Sequence, residues 1–195
     1  MISQFRLQYI LVLIGVFLIP LVLTPLIRFL AFHIGAVDNP NARRINKVPM
    51  PSSGGLGILI AFLVGTLILM PIITVRNHYF MSYFDYILPV TIGGLIVSMT
   101  GFIDDIFELK PRSKMLGIIL GALVVWAFTD YRFDSFKIPF GGPMLSFGPV
   151  LSFFLTVLWI VAITNAINLI DWLDGLVCGV SVNSFTTLGL ISSFF

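Results

Sequence analysis

The sequence predicts an all-α fold, a polytopic helical bundle set in a membrane, and three observations carry that expectation. Hydrophobic residues make up 58% of the 195 positions and charged residues only 10%. Mean hydropathy is +1.06, far from the balance of a water-soluble domain. Six apolar runs approach the roughly 20 residues that cross a bilayer.

In chain order the runs cover approximately residues 7–32, 55–75, 86–103, 115–129, 149–167 and 176–195. The first is too long for a signal-peptide core and lacks a small-residue cleavage site, so it reads as a retained helix. The fourth is short; it either extends inward through Ser113 and Lys114 or sits in locally thinned lipid. Between the first two, HIGAVDNPNARRINKVPMPSSG (33–54) is polar and rich in Pro and Asn, which makes it a structured loop. The segment DYRFDSFKIPFGGPMLSFG (130–148) alternates polar and aromatic residues around a Gly-Gly turn and predicts a small external hairpin. No repeat or low-complexity segment interrupts residues 1–195, which read as a single transmembrane domain.

Composition also excludes function classes. A net charge of +2 gives no reason to expect nucleic acid. One cysteine, Cys178, forms no internal disulfide. The loops after the first, third and fifth runs share one side of the membrane and hold Arg28, Arg43, Arg44, Lys47, Lys110, Arg112 and Lys114. The other side has Arg6, Arg76, Arg132 and Lys137. The bias of basic residues makes the first side cytoplasmic and leaves the N-terminus outside.

Three clusters on that cytoplasmic side carry chemistry. In GFIDDIFELKPRSK (101–114), Asp104 and Asp105 follow directly on an apolar run. They either stop a helix and reach for water, or serve a ligand. Negative charge at a helix C-terminus opposes the macrodipole and favours a nearby cation. Oxygen-only ligands suit Mg²⁺, with Mn²⁺ as the alternative, and Mg²⁺ is commonly held by one or two carboxylates together with substrate phosphates. In TNAINLIDWLDGL, Asn165, Asn168, Asp171 and Asp174 recur every three residues. A step of three turns a helix by about 300°, so Asn165 and Asp174 end about 180° apart. The spacing therefore predicts a break near Asp174-Gly175, with Asn168 and Asp171 facing a cleft. Hydrogen bonding between helices is the competing account of these polar residues. In the first loop, Arg43, Arg44 and Lys47 precede Gly54, Gly55 and Gly57, whose free amides suit an anion. A phosphate site and a plain topology signal both account for that loop. Carboxylates for a divalent cation plus basic groups for phosphate, all at the membrane plane, predict phosphoryl-type transfer from a water-soluble donor to a lipid acceptor.

These motifs resemble the polyprenyl-phosphate N-acetylhexosamine-1-phosphate transferase family. GFIDDIFELKPRSK is similar to its Gly-x-x-Asp-Asp run followed by Leu and Lys, here Leu109 and Lys114. NAINLIDWLDGL is similar to Asn-Ala-x-Asn-Leu-x-Asp-Gly-Leu-Asp-Gly, and DNPNARRINKVPMPSSGG to an Asp-x-Pro-x-x-Arg loop ending in Gly-Gly. The first loop looks closest to the branch that initiates teichoic acid, O-antigen and related surface glycans.

The resemblance implies that UDP-N-acetylglucosamine and undecaprenyl phosphate give undecaprenyl-diphospho-N-acetylglucosamine and UMP, with Mg²⁺ (or Mn²⁺), at the cytoplasmic face of a bacterial inner membrane. By similarity Asp104 and Asp105 organise or deprotonate the lipid phosphate. Asn168 and Asp171 lie near metal and diphosphate, Asp174 near the uracil, and Lys47 and Lys114 near phosphates, with Arg43 and Arg44 adding positive charge. The implied metal set is Asp104, Asp105, Asn168 and Asp171, and pairing of two copies as a homodimer is allowed. Asn46 stands where His is usual, Ile118 where Gln often follows, and Trp172 where Gly is expected. Family members usually continue through later helices that carry a Gly-Asp metal motif and a His-containing loop, so the chain is expected to be the N-terminal part of such a protein. The alternative is a truncated, non-catalytic membrane protein that binds lipid phosphate or a partner subunit. A transporter fits less well, because the acidic and amide residues gather at one face and not at mid-bilayer.

Overall fold

The computed structural model describes residues 2–194 apart from Asn39 and residues 41–46, 75–79, 139–140 and 172–174; side chains are described over the same positions except 2–9, 73–82 and 192–194. By internal packing the chain divides into two compact units, Met1–Arg132 and Phe133–Phe195.

The first unit is built from two helical hairpins. Helix α1 (Ile2–Ile34) runs through Pro20 and Pro25. It leads into a two-stranded neck in which β1 (Val37–Asp38) pairs antiparallel with β2 (Met50–Pro51), Val37 opposite Pro51 and Asp38 opposite Met50. The Ser52 N–H and hydroxyl both donate to the Ala36 carbonyl, at 3.1 and 3.0 Å, closing the base of the basic loop. The second span, Gly55–Ile72, comprises α2 (Gly55–Val64), a π-helical turn (Gly65–Leu69) and the start of α3 (Met70–Thr74). Glycines let it approach α1. A Cβ on Gly57 would press on Ile27 and Pro20, and one on Gly65 would come 2.8 Å from Val16 Cγ2.

The π-helical turn has a local cause. The Met70 N–H donates to the Gly65 carbonyl, and the next residue, Pro71, has no N–H to give to Thr66. Tyr83, from the following helix, supplies that donor: its hydroxyl lies 3.0 Å from the Thr66 carbonyl oxygen. In lipid no water could do so.

Helix α4 (Phe80–Phe107) and α5 (Pro111–Phe128) form the second hairpin. Their contact is a seam of small residues, Gly93, Val97 and Thr100 on α4 against Gly117, Gly121 and Val125 on α5. A Cβ on Gly121 would lie 2.7 Å from the Gly93 carbonyl oxygen and 2.6 Å from Val97, and one on Gly117 would collide with Thr100. The Gly-x-x-x-Gly spacing thus serves close approach of two backbones, the usual device where the solvent is as apolar as the side chains. The fourth run extends inward through Ser113 and Lys114, as the sequence allows, because Pro111 starts the helix at a position where its missing N–H costs nothing. The third run overshoots its expected end at residue 103: α4 continues to Phe107, so Asp104 and Asp105 lie in its last turn and not beyond it.

In the second unit, β3 (Ser135–Lys137) and β4 (Met144–Ser146) form the expected hairpin, with Gly141 at φ +85° in its connection. Helix α6 (Pro149–Ile170) and α7 (Leu176–Phe194) follow. Among the described residues, five helices are long and apolar enough to cross a membrane, Ile10–Ile34, Gly55–Ile72, Tyr83–Phe107, Pro111–Phe128 and Pro149–Ile170. The sixth run is helical too, as α7, and is apolar over its described residues Leu176–Ile191.

The seam yields a test. Gly121→Ala should lower the thermal midpoint in detergent by an amount equivalent to about 1–3 kcal/mol, the usual cost of overpacking. Gly94→Ala, where nothing lies within 4 Å of the added carbon, should leave it unchanged. Equal midpoints for the two variants would refute the seam.

Candidate functional site

The last turn of α4 and the first turn of α5 form one structure, organised by Asp104. Its backbone carbonyl accepts the Glu108 N–H at 2.9 Å, and its Oδ1 accepts the Leu109 N–H at 2.9 Å. Between those two bonds Glu108 holds φ +45°, a left-handed conformation that costs a non-glycine residue about 1–2 kcal/mol. Helices commonly end this way with Gly; here the Asp104 clamp stabilises the same turn without one. Oδ2 of Asp104 accepts from Lys114 Nζ at 2.8 Å, a charge-assisted bond between side chains only 22% and 26% exposed.

The cation that the α4 macrodipole favours is thus present within the chain. Asp104 sits at the negative end of α4 and beside the positive end of α5, so Lys114 is favourable to the first helix and unfavourable to the second. The carboxylate reconciles the two. Asp105 follows in the same turn, half-buried and itself engaged.

The remaining sites expected from sequence are distributed as follows. Lys47 is exposed, just before β2, on the loop whose neck is closed by Ala36 and Ser52. Arg43, Arg44 and Asp174 lie outside the described residues, as do Asn46 and Trp172. Asn168 is exposed in the last turn of α6, and Asp171 is exposed at its C-cap, with its N–H donating to the Ile167 carbonyl at 3.1 Å. Asn165 turns back to its own helix, its amide donating to the Val161 carbonyl at 2.8 Å. The break expected near Asp174-Gly175 begins earlier: α6 ends at Ile170, Gly175 takes φ +77°, and α7 starts at Leu176. Asp104, Asp105 and Lys114 are brought together in the first unit; Asn168 and Asp171 are one turn apart in the second. Among the described residues no group of three or more His, Cys, Asp and Glu is placed to hold a metal by itself.

Sequence reasoning missed three positions. Ser53 is 2% exposed at the foot of α2, and its hydroxyl has no hydrogen-bond partner. Ser152 and Thr156 are buried polar residues four apart on α6, at 1% and 2% exposure. Their spacing within an apolar run was the available signal.

The fold and this cluster define a class: a multi-pass helical membrane protein that carries paired carboxylates and a lysine at the end of a span. Residues 87–195 match glycosyl transferase family 4. The chain belongs to that family, which agrees with the resemblance drawn from the three motifs. It is 37% identical over 172 residues to a probable undecaprenyl-phosphate N-acetylglucosaminyl 1-phosphate transferase of Bacillus subtilis, covering 88% of this chain and 45% of that protein. It is 30% identical over 184 residues to the undecaprenyl-phosphate alpha-N-acetylglucosaminyl 1-phosphate transferase of Salmonella typhi (93% and 46%). It is 31% identical over 202 residues to the phospho-N-acetylmuramoyl-pentapeptide-transferase of Thermobifida fusca (89% and 53%). The chain therefore spans about half the length of these relatives. No solved structure matches it.

A double-mutant cycle checks the clamp. Asp104→Asn and Lys114→Met should each destabilise the protein in detergent, with a coupling of about 0.5–3 kcal/mol, as for other side chains in contact. Strict additivity would show that the ion pair does not hold the α4–α5 turn.

Proposed function

We propose that the protein to which this chain belongs transfers N-acetylglucosamine 1-phosphate from UDP-N-acetylglucosamine to undecaprenyl phosphate at the cytoplasmic face of a bacterial inner membrane, releasing UMP. The observation that carries the reading is the gathering of Asp104, Asp105 and Lys114 at one span end. Membership of the family and the names of its relatives support it. A lipid phosphate diffuses in the membrane plane, and a nucleotide sugar arrives from water. A cluster at the end of a span is where the two can meet.

In the reaction, an oxygen of the lipid phosphate attacks the sugar-linked phosphorus of the donor. The bond from that phosphorus to the bridging oxygen breaks, and UMP departs with the electron pair. Little covalent chemistry falls to the protein, so positioning and neutralisation of spreading charge are its main contribution. Asp104, already bonded to Leu109 N–H and Lys114, acts as the positioning group that holds the turn. Asp105, in the same turn, orients the lipid phosphate or takes its proton. Lys114, within reach of both carboxylates' turn, offers positive charge to a phosphate, and Lys47 does the same from the basic loop.

The donor set suits Mg²⁺ by type, because carboxylate and amide oxygens are hard ligands and Mg²⁺ is content with one or two carboxylates plus substrate phosphates. A carboxylate accepts about four hydrogen bonds or ligands, so the two bonds to Asp104 leave it capacity. By the family resemblance, Asp104 and Asp105 of the first unit and Asn168 and Asp171 of the second are the residues that would hold the ion in the full-length protein. When bound, it would neutralise charge on the diphosphate.

In the full-length protein, Asp105→Asn should lower UMP release by about 10²-fold or more while leaving membrane insertion intact. Near-normal turnover would remove Asp105 from the mechanism. Chelation with EDTA should stop the reaction of the unmodified protein, and Mg²⁺ should restore it.

A further inference from the structure

In the unit Phe133–Phe195, the segment entering β3 is tied to the flank of α6 and not merely to its end. The Phe133 N–H donates to Thr156 Oγ1 at 3.0 Å, and the Phe133 ring meets Trp159 edge-on at a centroid distance of 5.6 Å. One residue later, Asp134 Oδ1 accepts the Ser152 hydroxyl at 2.9 Å, and the Asp134 carbonyl accepts the Phe147 N–H at 2.8 Å. Ser152 and Thr156 are buried beneath this segment in an otherwise apolar helix.

The positions along α6 set a depth. At 1.5 Å per residue, Thr156 lies about 10 Å and Trp159 about 15 Å along the helix from Pro149. Length and composition let α6 span from Pro149 to Ile170, and a helix that spans over those residues carries Phe133 below the surface of the leaflet that its N-terminal end enters. The two donors it meets there, a serine and a threonine, replace water for the descending backbone and carboxylate. The base of the hairpin, Asp134 and Phe147, is level with the first turn of α6. Strands of three residues rise only about 10 Å from that base, comparable with the polar layer of a bilayer.

One face of the hairpin suits such a boundary, and the other is mixed, with Met144 68% exposed opposite Lys137. By register, Phe136 pairs with Leu145 on one face, while Ser135–Ser146 and Lys137–Met144 lie on the other. Phe136 is 53% and Leu145 46% exposed to the surroundings of the chain. Two isolated strands with an uncovered aromatic–aliphatic pair are marginal in water. An aromatic side chain beside a lysine, with a long stem and a charged head, is the composition of the bilayer interface.

We propose that the β3–β4 hairpin is a lipid anchor. It lies in the headgroup–acyl boundary of the leaflet entered by the N-terminal end of α6, with the Phe136–Leu145 face against acyl chains and Lys137 at headgroup phosphates. The covering partner is bilayer lipid, because the hairpin continues without a break from the membrane-crossing helix to which Phe133 and Asp134 bind it. The anchor fixes α6 along its axis, and with it the depth of Asn168 and Asp171 at the far end.

The test uses the full-length protein in phosphatidylcholine–phosphatidylglycerol vesicles, with its native cysteines replaced, Cys178→Ser among them. Single cysteines are introduced as Phe136→Cys, Leu145→Cys and Ser146→Cys, and each is labelled with a polarity-sensitive fluorophore after purification. The labels at 136 and 145 should emit to the blue of that at 146, be quenched several-fold more by lipids spin-labelled near the headgroup, and be several-fold less quenched by aqueous iodide. Equal iodide quenching at all three positions would place the hairpin in water and overturn the proposal. Protection at 136 and 145 from iodide and spin-labelled lipid alike would assign the face to protein and overturn it equally. The two positions share a face, so if one variant fails to insert the other carries the same reading.

Discussion

The close approach of α4 and α5 is the contact on which the candidate site depends. Gly93, Gly117 and Gly121 remove the side chains that would keep the two backbones apart, and Thr100 fills the space over Gly117. Continued by one turn, the same antiparallel register brings Asp104 to Lys114. The ion pair therefore follows from packing that begins one turn away at Thr100 and Gly117 and runs back to Gly93 and Gly121, in a part of the helices that contains no charge. It in turn holds Glu108 in its left-handed conformation and so defines where α4 stops and α5 starts.

A second constraint recurs at three irregularities among the described residues: polar groups withdrawn from water need partners from the protein itself. At the π-helical turn the missing N–H of Pro71 is answered by the Tyr83 hydroxyl on another helix. At the neck of the basic loop, Ser52 supplies two donors to Ala36. Beside α6, Thr156 and Ser152 satisfy Phe133 and Asp134. In each case one or two hydroxyls of the protein tie two stretches of chain together. These hydroxyls thus have a larger effect on chain path than their net energy of about 1 kcal/mol each would suggest.

The two strand pairs, one in each unit, differ in what they present. Where the chain turns through β1 and β2 the neck is short and closed by the bonds from Ser52 to Ala36, and Lys47 is exposed. Where it turns through β3 and β4 the apolar residues are outside and the polar contacts are inside, against α6.

Most of the fold was legible in the sequence. Apolar run length alone located the helices, since a bilayer sets the same minimum for each of them. The hairpin at 130–148 and the inward extension of α5 were legible from turn chemistry and from Pro111. The candidate residues were legible as residue types near helix ends, because charge is rare in such a chain and falls at the ends of its apolar runs. What the sequence alone could not supply was partnership. Nothing local says that α4 runs on to Phe107, since that depends on a bond from the Asp104 carboxylate to a backbone five residues away. Nor does any local signal pair Lys114 with Asp104, or Ser152 with Asp134. Hydropathy is a property of one segment and survives without neighbours, whereas hydrogen bonds and ion pairs require two segments in register. That register is decided by tertiary packing, here by glycines whose role appears only when the helix opposite is in place.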